Sequence, residues 1–154
     1  MTDNDARALQ PPGVGDDRND IADAFGRLLA DLVASAPVAG AAALIWMEIE
    51  GALSPVFGRR GVAALYQRTL QSNTTEYRWL ADIPLDSTFC IDFDILKTTL
   101  ENQHATEAAL AADLALRSFC ELLTSLVGSS LTERLLRPVL NHFRTDAPVQ
   151  GRPT

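Results

Sequence analysis

The sequence predicts an all-α fold: a single compact bundle of five to seven helices, closed by a C-terminal αα-corner and without a sheet of consequence. Apolar residues recur at three-and-four spacing in several stretches, most clearly at Leu116, Phe119, Cys120, Leu123, Leu126 and Val127, with Arg117, Glu121 and Thr124 between them. Helix punctuation falls between such stretches, at Pro37, over residues 72–75 and at Gly128. Alanine is abundant throughout, which favours helix over strand wherever a short apolar run leaves the choice open. Residues 19–144 are expected to form the helical domain, flanked by disordered tails over residues 1–18 and 145–154.

The first helix is expected over residues 19–35. Asp16, Asp17, Asn19 and Asp20 supply cap candidates and negative charge at its start, and Ile21, Phe25, Leu28, Leu29, Leu32 and Val33 fall on one face. Pro37 ends it and suits the first turn of the next helix. Residues 38–51 are apolar nearly all round in their first part, which marks the central helix. Their small residues, Ala39, Gly40, Ala41, Ala42 and Ala43, leave room for a neighbouring backbone, from the same chain or from a second copy. Ser54 and Pro55 read as a cap followed by a first-turn proline, so a single turn over residues 55–57 should precede the Gly58-Arg59-Arg60-Gly61 segment. A further helix then turns Val62, Leu65, Tyr66, Thr69 and Leu70 inward and Arg68 and Gln71 outward.

Residues 76–85 hold Tyr77, Trp79 and Leu80 close together before Pro84 and predict a short helical turn laid over the core. Residues 86–93 stay open between helix, strand and loop. Asp86, Ser87 and Thr88 offer turn chemistry, while the alternation of Phe89, Ile91 and Phe93 with Cys90 and Asp92 suits a short strand. Asp94 is the expected cap of a helix using Ile95, Leu96 and Leu100, and its continuity through residues 102–106, with Thr106 as an alternative cap, is left undecided. At the corner, Gly128 falls where a helix end needs a residue tolerant of positive φ, and Ser130 and Glu133 have the spacing of a reciprocal capping box. The second arm, with Leu131, Leu135, Leu136, Val139 and Leu140, meets Pro138, where a kink or early end is expected.

A chain of 154 residues is long enough for one domain that buries a core without a staple. Its net charge of −7 argues against nucleic-acid binding, which depends on a basic face to neutralise phosphates. The longest apolar run, residues 38–47, covers about half the length needed to cross a hydrocarbon core, so no membrane span is expected. Cys90 and Cys120 lack C-x-x-C spacing and sit among apolar neighbours, as small buried hydrophobes do in a reducing compartment such as the cytoplasm. Lys97 is the sole lysine among thirteen basic residues, which together with the alanine content carries the imprint of a GC-rich bacterial genome.

Catalytic chemistry finds little support. His104 and His142 lie far apart in the sequence, no metal-ligand spacing joins them to the cysteines, and Glu-x-x-His occurs once, at Glu101 and His104, where a di-iron bundle needs it on two helices. A histidine on a helical bundle is what histidine phosphotransfer domains use, but Ala105, Thr106, Glu107 and Ala108 after His104 do not give their H-x-x-K-G pattern. Gly128-Ser129-Ser130 lacks both the P-loop lysine and the frame of a nucleophile elbow, and no nucleotide or cofactor fingerprint appears, so no cofactor and no metal are expected. The polar candidates are Arg59 and Arg60, placed before a helix N-terminus as an anion site, with Arg68 further along the same helix.

These observations predict a non-enzymatic bacterial regulatory or adaptor domain that acts by protein contact, as a homodimer, because apolar helical faces are in excess of chemical motifs. The alternative is a small-molecule sensor with a pocket between helices lined by Trp46, Tyr66, Tyr77 and Trp79. A small enzyme without a recognisable motif ranks third.

Overall fold

In the computed structural model the described residues are 12–146, with side chains over residues 21–143. They form α1 (Pro12–Val33), α2 (Val38–Ser72), a 3-10 turn (Arg78–Asp82), α3 (Phe93–Glu101), α4 (Ala105–Val127) and α5 (Ser129–Asp146), with no strand among them. The fold is therefore all-helical, with five α-helices, as expected. Helix α1 starts at Pro12 instead of Asn19, and a proline tolerates the first helical turn because its missing N–H has no intrahelical partner there. Residues 1–11 and 147–154, which hold the rest of the expected tails, lie outside the described residues.

Helix α2 sits at the centre and packs against every other helix, while α1 lies chiefly along α4 and α5. Its first half buries Val38, Ala41, Ala42, Ile45, Trp46 and Ile49, and its second half buries Val62, Ala63, Tyr66, Thr69 and Leu70. Pro55 lies inside α2 and does not start a new helix. The carbonyl of Gly51, which loses its partner to the proline, belongs to an exposed residue that water can reach, and the Ser54 hydroxyl donates to the Glu50 carbonyl at 2.6 Å. The break comes at Gly58, whose φ of 77° and ψ of 155° only glycine adopts readily. By length and hydropathy α2 is the one described helix that would serve to cross a membrane; it is interrupted at Gly58 and carries Arg59 and Arg60.

Helix α3 is capped by Asp92, not Asp94. The Asp92 carboxylate accepts from the Ile95 N–H at 3.1 Å, the three-residue reach that a cap side chain has, and Asp94 is already in the first turn. A break separates α3 from α4, which starts at Ala105 behind His104, ahead of the alternative cap Thr106. Residues 86–90 form a turn, not a strand, and Phe89 takes a positive φ of 64°.

The corner consists of a single residue. Gly128 has φ 90° and ψ 157°, outside the left-handed helical region and in the extended positive-φ region that is essentially glycine's own. Its N–H closes α4 onto the Thr124 carbonyl at 2.8 Å, and its carbonyl opens α5 by accepting from the Thr132 N–H at 3.1 Å and the Thr132 hydroxyl at 2.8 Å. The Ser130–Glu133 capping box is not formed: Ser130 lies within the first turn, and the Glu133 carboxylate pairs with Arg137 one turn on. Helix α5 continues through Pro138 to Asp146, since the carbonyl freed at exposed Arg134 faces solvent. The spacing places Leu116, Phe119, Cys120 and Leu123 correctly in the core, whereas Leu126 and Leu131, on either side of the corner, are exposed.

Burial pushes the Cys120 thiol from its ordinary 9.0 up to about 12, with the Glu121 carboxylate adding to the shift, and raises the Tyr66 phenol as well. Both groups keep their protons in the fold, while an unfolded chain releases the thiol proton above about pH 9. Stability from this source is intact below that pH and falls as the pH rises toward the folded value. The chain has a single lysine, so few other groups titrate in the window. Urea denaturation at about pH 7.5 and about pH 10.5 is expected to differ by about 2 kcal/mol on account of the thiol, and Cys120→Ala should remove that part of the difference.

Candidate functional site

Three places gather the residues with chemistry. The first is the end of the bundle where the break at Gly58 meets the turn 86–90. The Asp86 carboxylate accepts from the Thr88 hydroxyl at 2.6 Å, the Thr88 N–H at 2.7 Å and the Cys90 N–H at 3.0 Å, bonds that hold it below the usual carboxylate range, the Thr88 hydroxyl most of all. Arg60 donates from Nε to the Thr88 carbonyl at 3.2 Å and lies 5.7 Å from the centre of the Phe89 ring. Arg59 reaches back to Glu50 at 3.4 Å, and that carboxylate holds its guanidinium protonated. Arg59 and Arg60 are thus brought together at one end, each on a protein partner of its own, with Arg68 exposed further along α2. Cation–π contact and the carbonyl bond brace Phe89, a bulky residue at positive φ, in an exposed position.

The second place is the aromatic core. Trp46 stands edge-on to Tyr66 at 5.0 Å and to Phe119 at 5.0 Å, with interplanar angles of 74° and 84°. Trp46 and Tyr66 are 2% and 0% exposed, filling the interior. Tyr77 and Trp79 lie 6.0 Å apart, half-buried against the edge of the core, where the Trp79 indole N–H donates to Glu107 at 2.9 Å. The four aromatics read from the sequence as one pocket therefore divide between the centre of the core, with Trp46 and Tyr66, and its half-buried edge, with Tyr77 and Trp79.

The third place was not legible as a site. Leu110, at the start of α4, is 55% exposed and stands between two hollows. One, of about 400 Å³, is lined by Gly26, Leu29, Ala30 and Val33 of α1 with Ala109 and Asp113 of α4. The other, of about 560 Å³, is lined by Tyr77, His104, Thr106 and Glu107. Asp113 accepts from Arg117 Nε at 3.0 Å, and Arg117 crosses to Asp23 on α1 at 2.5 Å, which keeps the guanidinium protonated. A Cβ at Gly26 would lie 2.6 Å from Arg117 Nη2 and 2.8 Å from Asp113 Oδ1, so a side chain there would push these two side-chain ends aside. The available signal was the position of Leu110, which falls on the side of α4 opposite Ala108, Ala112, Ala115 and Phe119.

Among the described residues no group of three or more His, Cys, Asp or Glu side chains is placed to hold a metal ion. No protein-family model, no characterised protein and no solved structure matches the chain.

Proposed function

We propose that this is a non-enzymatic regulatory or adaptor domain that works by protein contact, as a homodimer joined through the outer face of α2. The observation that carries the reading is a stripe on that helix made of Gly40, Leu44, Met47, Gly51 and Pro55. Their spacing of four, three, four and four residues puts them on one face. Leu44 and Met47 are each 45% exposed, and nothing lies within 4 Å of a Cβ placed at Gly40 or Gly51. About a midpoint between Met47 and Glu48 the stripe is self-complementary, with Leu44 mirrored by Gly51 and Gly40 by Pro55. Two copies crossing antiparallel would seat each Leu44 in the gap at the opposite Gly51, which is the reciprocal pattern a two-fold contact needs.

A stripe of this length covers less than the roughly 800 Å² per partner of a standard stable interface, so a micromolar contact is expected, not a nanomolar one. Two free, buried cysteines support a reducing compartment such as the cytoplasm, and arginine usage in place of lysine supports a bacterial source. Sedimentation equilibrium at about 100 μM, where a micromolar contact is largely formed, is expected to give the mass of a dimer. Leu44→Arg should return the mass of a monomer without lowering the melting temperature, because Leu44 is half exposed within one chain. A parent chain that stays monomeric at that concentration ends the homodimer reading.

A further inference from the structure

We propose that the surface on either side of Leu110 docks an amphipathic, basic α-helix from another protein. It is shaped for a rod more than for a compact ligand. Its lining runs along α4 from the N-cap His104 to Asp113, about 14 Å, and the two hollows lie in succession along it with Leu110 as the ridge between them. Successive pits divided by an apolar ridge suit side chains spaced i, i+4 and i+7 on one face of an incoming helix. The hollow on the α1 side exists because Gly26, Ala30 and Ala109 are small where Leu29 and Val33 are large.

Charge selects the occupant. Asp113 lines one hollow and Glu107 the other, and both carboxylates are held in place, by Arg117 and by the Trp79 indole. Arg117 is shared between Asp23 and Asp113, so this triad carries one net negative charge. His104 is the one basic side chain that lines either hollow. On a chain of net charge −7 this acid-edged apolar groove complements lysine or arginine flanking an apolar helical face, and repels anionic lipid headgroups and nucleic acid. The proposal rests on reading the chain as a protein-contact domain, but not on the α2 dimer, whose test reads mass.

The test uses two fluorescein-labelled helical peptides of roughly 18 residues, about 27 Å long, with leucine at i, i+4 and i+7. One carries lysines on its flanks and the other glutamates. Fluorescence anisotropy is followed with the full chain, with Leu110→Glu and with Leu44→Arg. The lysine peptide is expected to bind the parent and Leu44→Arg equally, with Kd on the order of 10–100 μM, and the glutamate peptide not to bind. Leu110→Glu should weaken the lysine peptide at least about tenfold with an unchanged melting temperature, since Leu110 is exposed. The sign is diagnostic: the added negative charge would strengthen a diffuse attraction between lysines and an acidic chain, and only loss of a seat on Leu110 weakens it. Equal or tighter binding to Leu110→Glu overturns the proposal. So do equal binding of both peptides, no binding to the parent at about 1 mM, and a fall in the parent's assembly mass on Leu110→Glu, which would make a second copy the occupant.

Discussion

Phe119→Ala is expected to lower the free energy of unfolding by about 3–5 kcal/mol, the range for removing a buried aromatic ring. Phe119 is wholly buried on α4, and its ring stands nearly perpendicular to Trp46, which stands edge-on to Tyr66 in turn. Two consequences add. The transfer energy of the ring is lost, and the space it leaves is walled by a rigid indole that cannot collapse into it as an aliphatic side chain would. The edge-to-face contact with Trp46 contributes about 0.5–1.5 kcal/mol beyond the buried area. Single domains are stable by only about 5–15 kcal/mol, so the variant should keep a folded state with a much earlier denaturation midpoint. Phe119→Leu, which keeps most of the apolar volume, should cost markedly less. A Phe119→Ala chain within about 1 kcal/mol of the parent at equal denaturant slope would remove the three rings from the centre of the core.

Gly128→Val is expected to cost about 3 kcal/mol, at the upper end for a residue forced into a sparsely allowed backbone conformation. The reason lies in the backbone alone, because a Cβ at this position would meet nothing within 4 Å. Gly128→Ala should therefore also destabilise, somewhat less than valine, whose branch adds its own crowding. Ser130→Ala is expected to be neutral within about 0.5 kcal/mol, since α5 is opened by the carbonyl of Gly128 and not by the Ser130 side chain. Were α4 and α5 one continuous helix, Gly128→Ala would instead stabilise by about 1 kcal/mol. Chemical denaturation of the three variants at equal slope separates the two cases.

The features of this fold that were readable in the sequence are those decided within a few residues. Residues 72–75 and Gly128 stop helices by local backbone chemistry, Pro37 starts α2 as its N-cap, and Phe119, Cys120 and Leu123 reveal a face by spacing alone. The structure departs from the pattern in the sequence where two neighbouring residues offer the same chemistry. Pro55 and Gly58 both break helices, and the proline was tolerated because its orphaned acceptor is exposed. Asp92 and Asp94 both cap, and the choice went to the one whose carboxylate reaches the Ile95 N–H. The surface around Leu110 was hidden for a different reason. Its concavity depends on how α1 lies against α4, and nothing in the order of Gly26, Leu29 and Ala109 encodes that placement.

The break at Gly58 makes α2 two cooperative lengths with one name. Helix growth is a nearest-neighbour process, in which each added residue gains one hydrogen bond on a ladder already started, and a new ladder carries a nucleation penalty of about 10⁻³ in equilibrium constant. A residue at φ 77° and ψ 155° cannot pass the ladder on, so residues 59–72 must nucleate independently of residues 38–57. Tertiary contacts have to supply that second nucleus. Tyr66, set edge-on against Trp46, and Arg59, paired with Glu50, tie the second length to the first, so the two are held together by side-chain contacts and not by one continuous hydrogen-bond ladder.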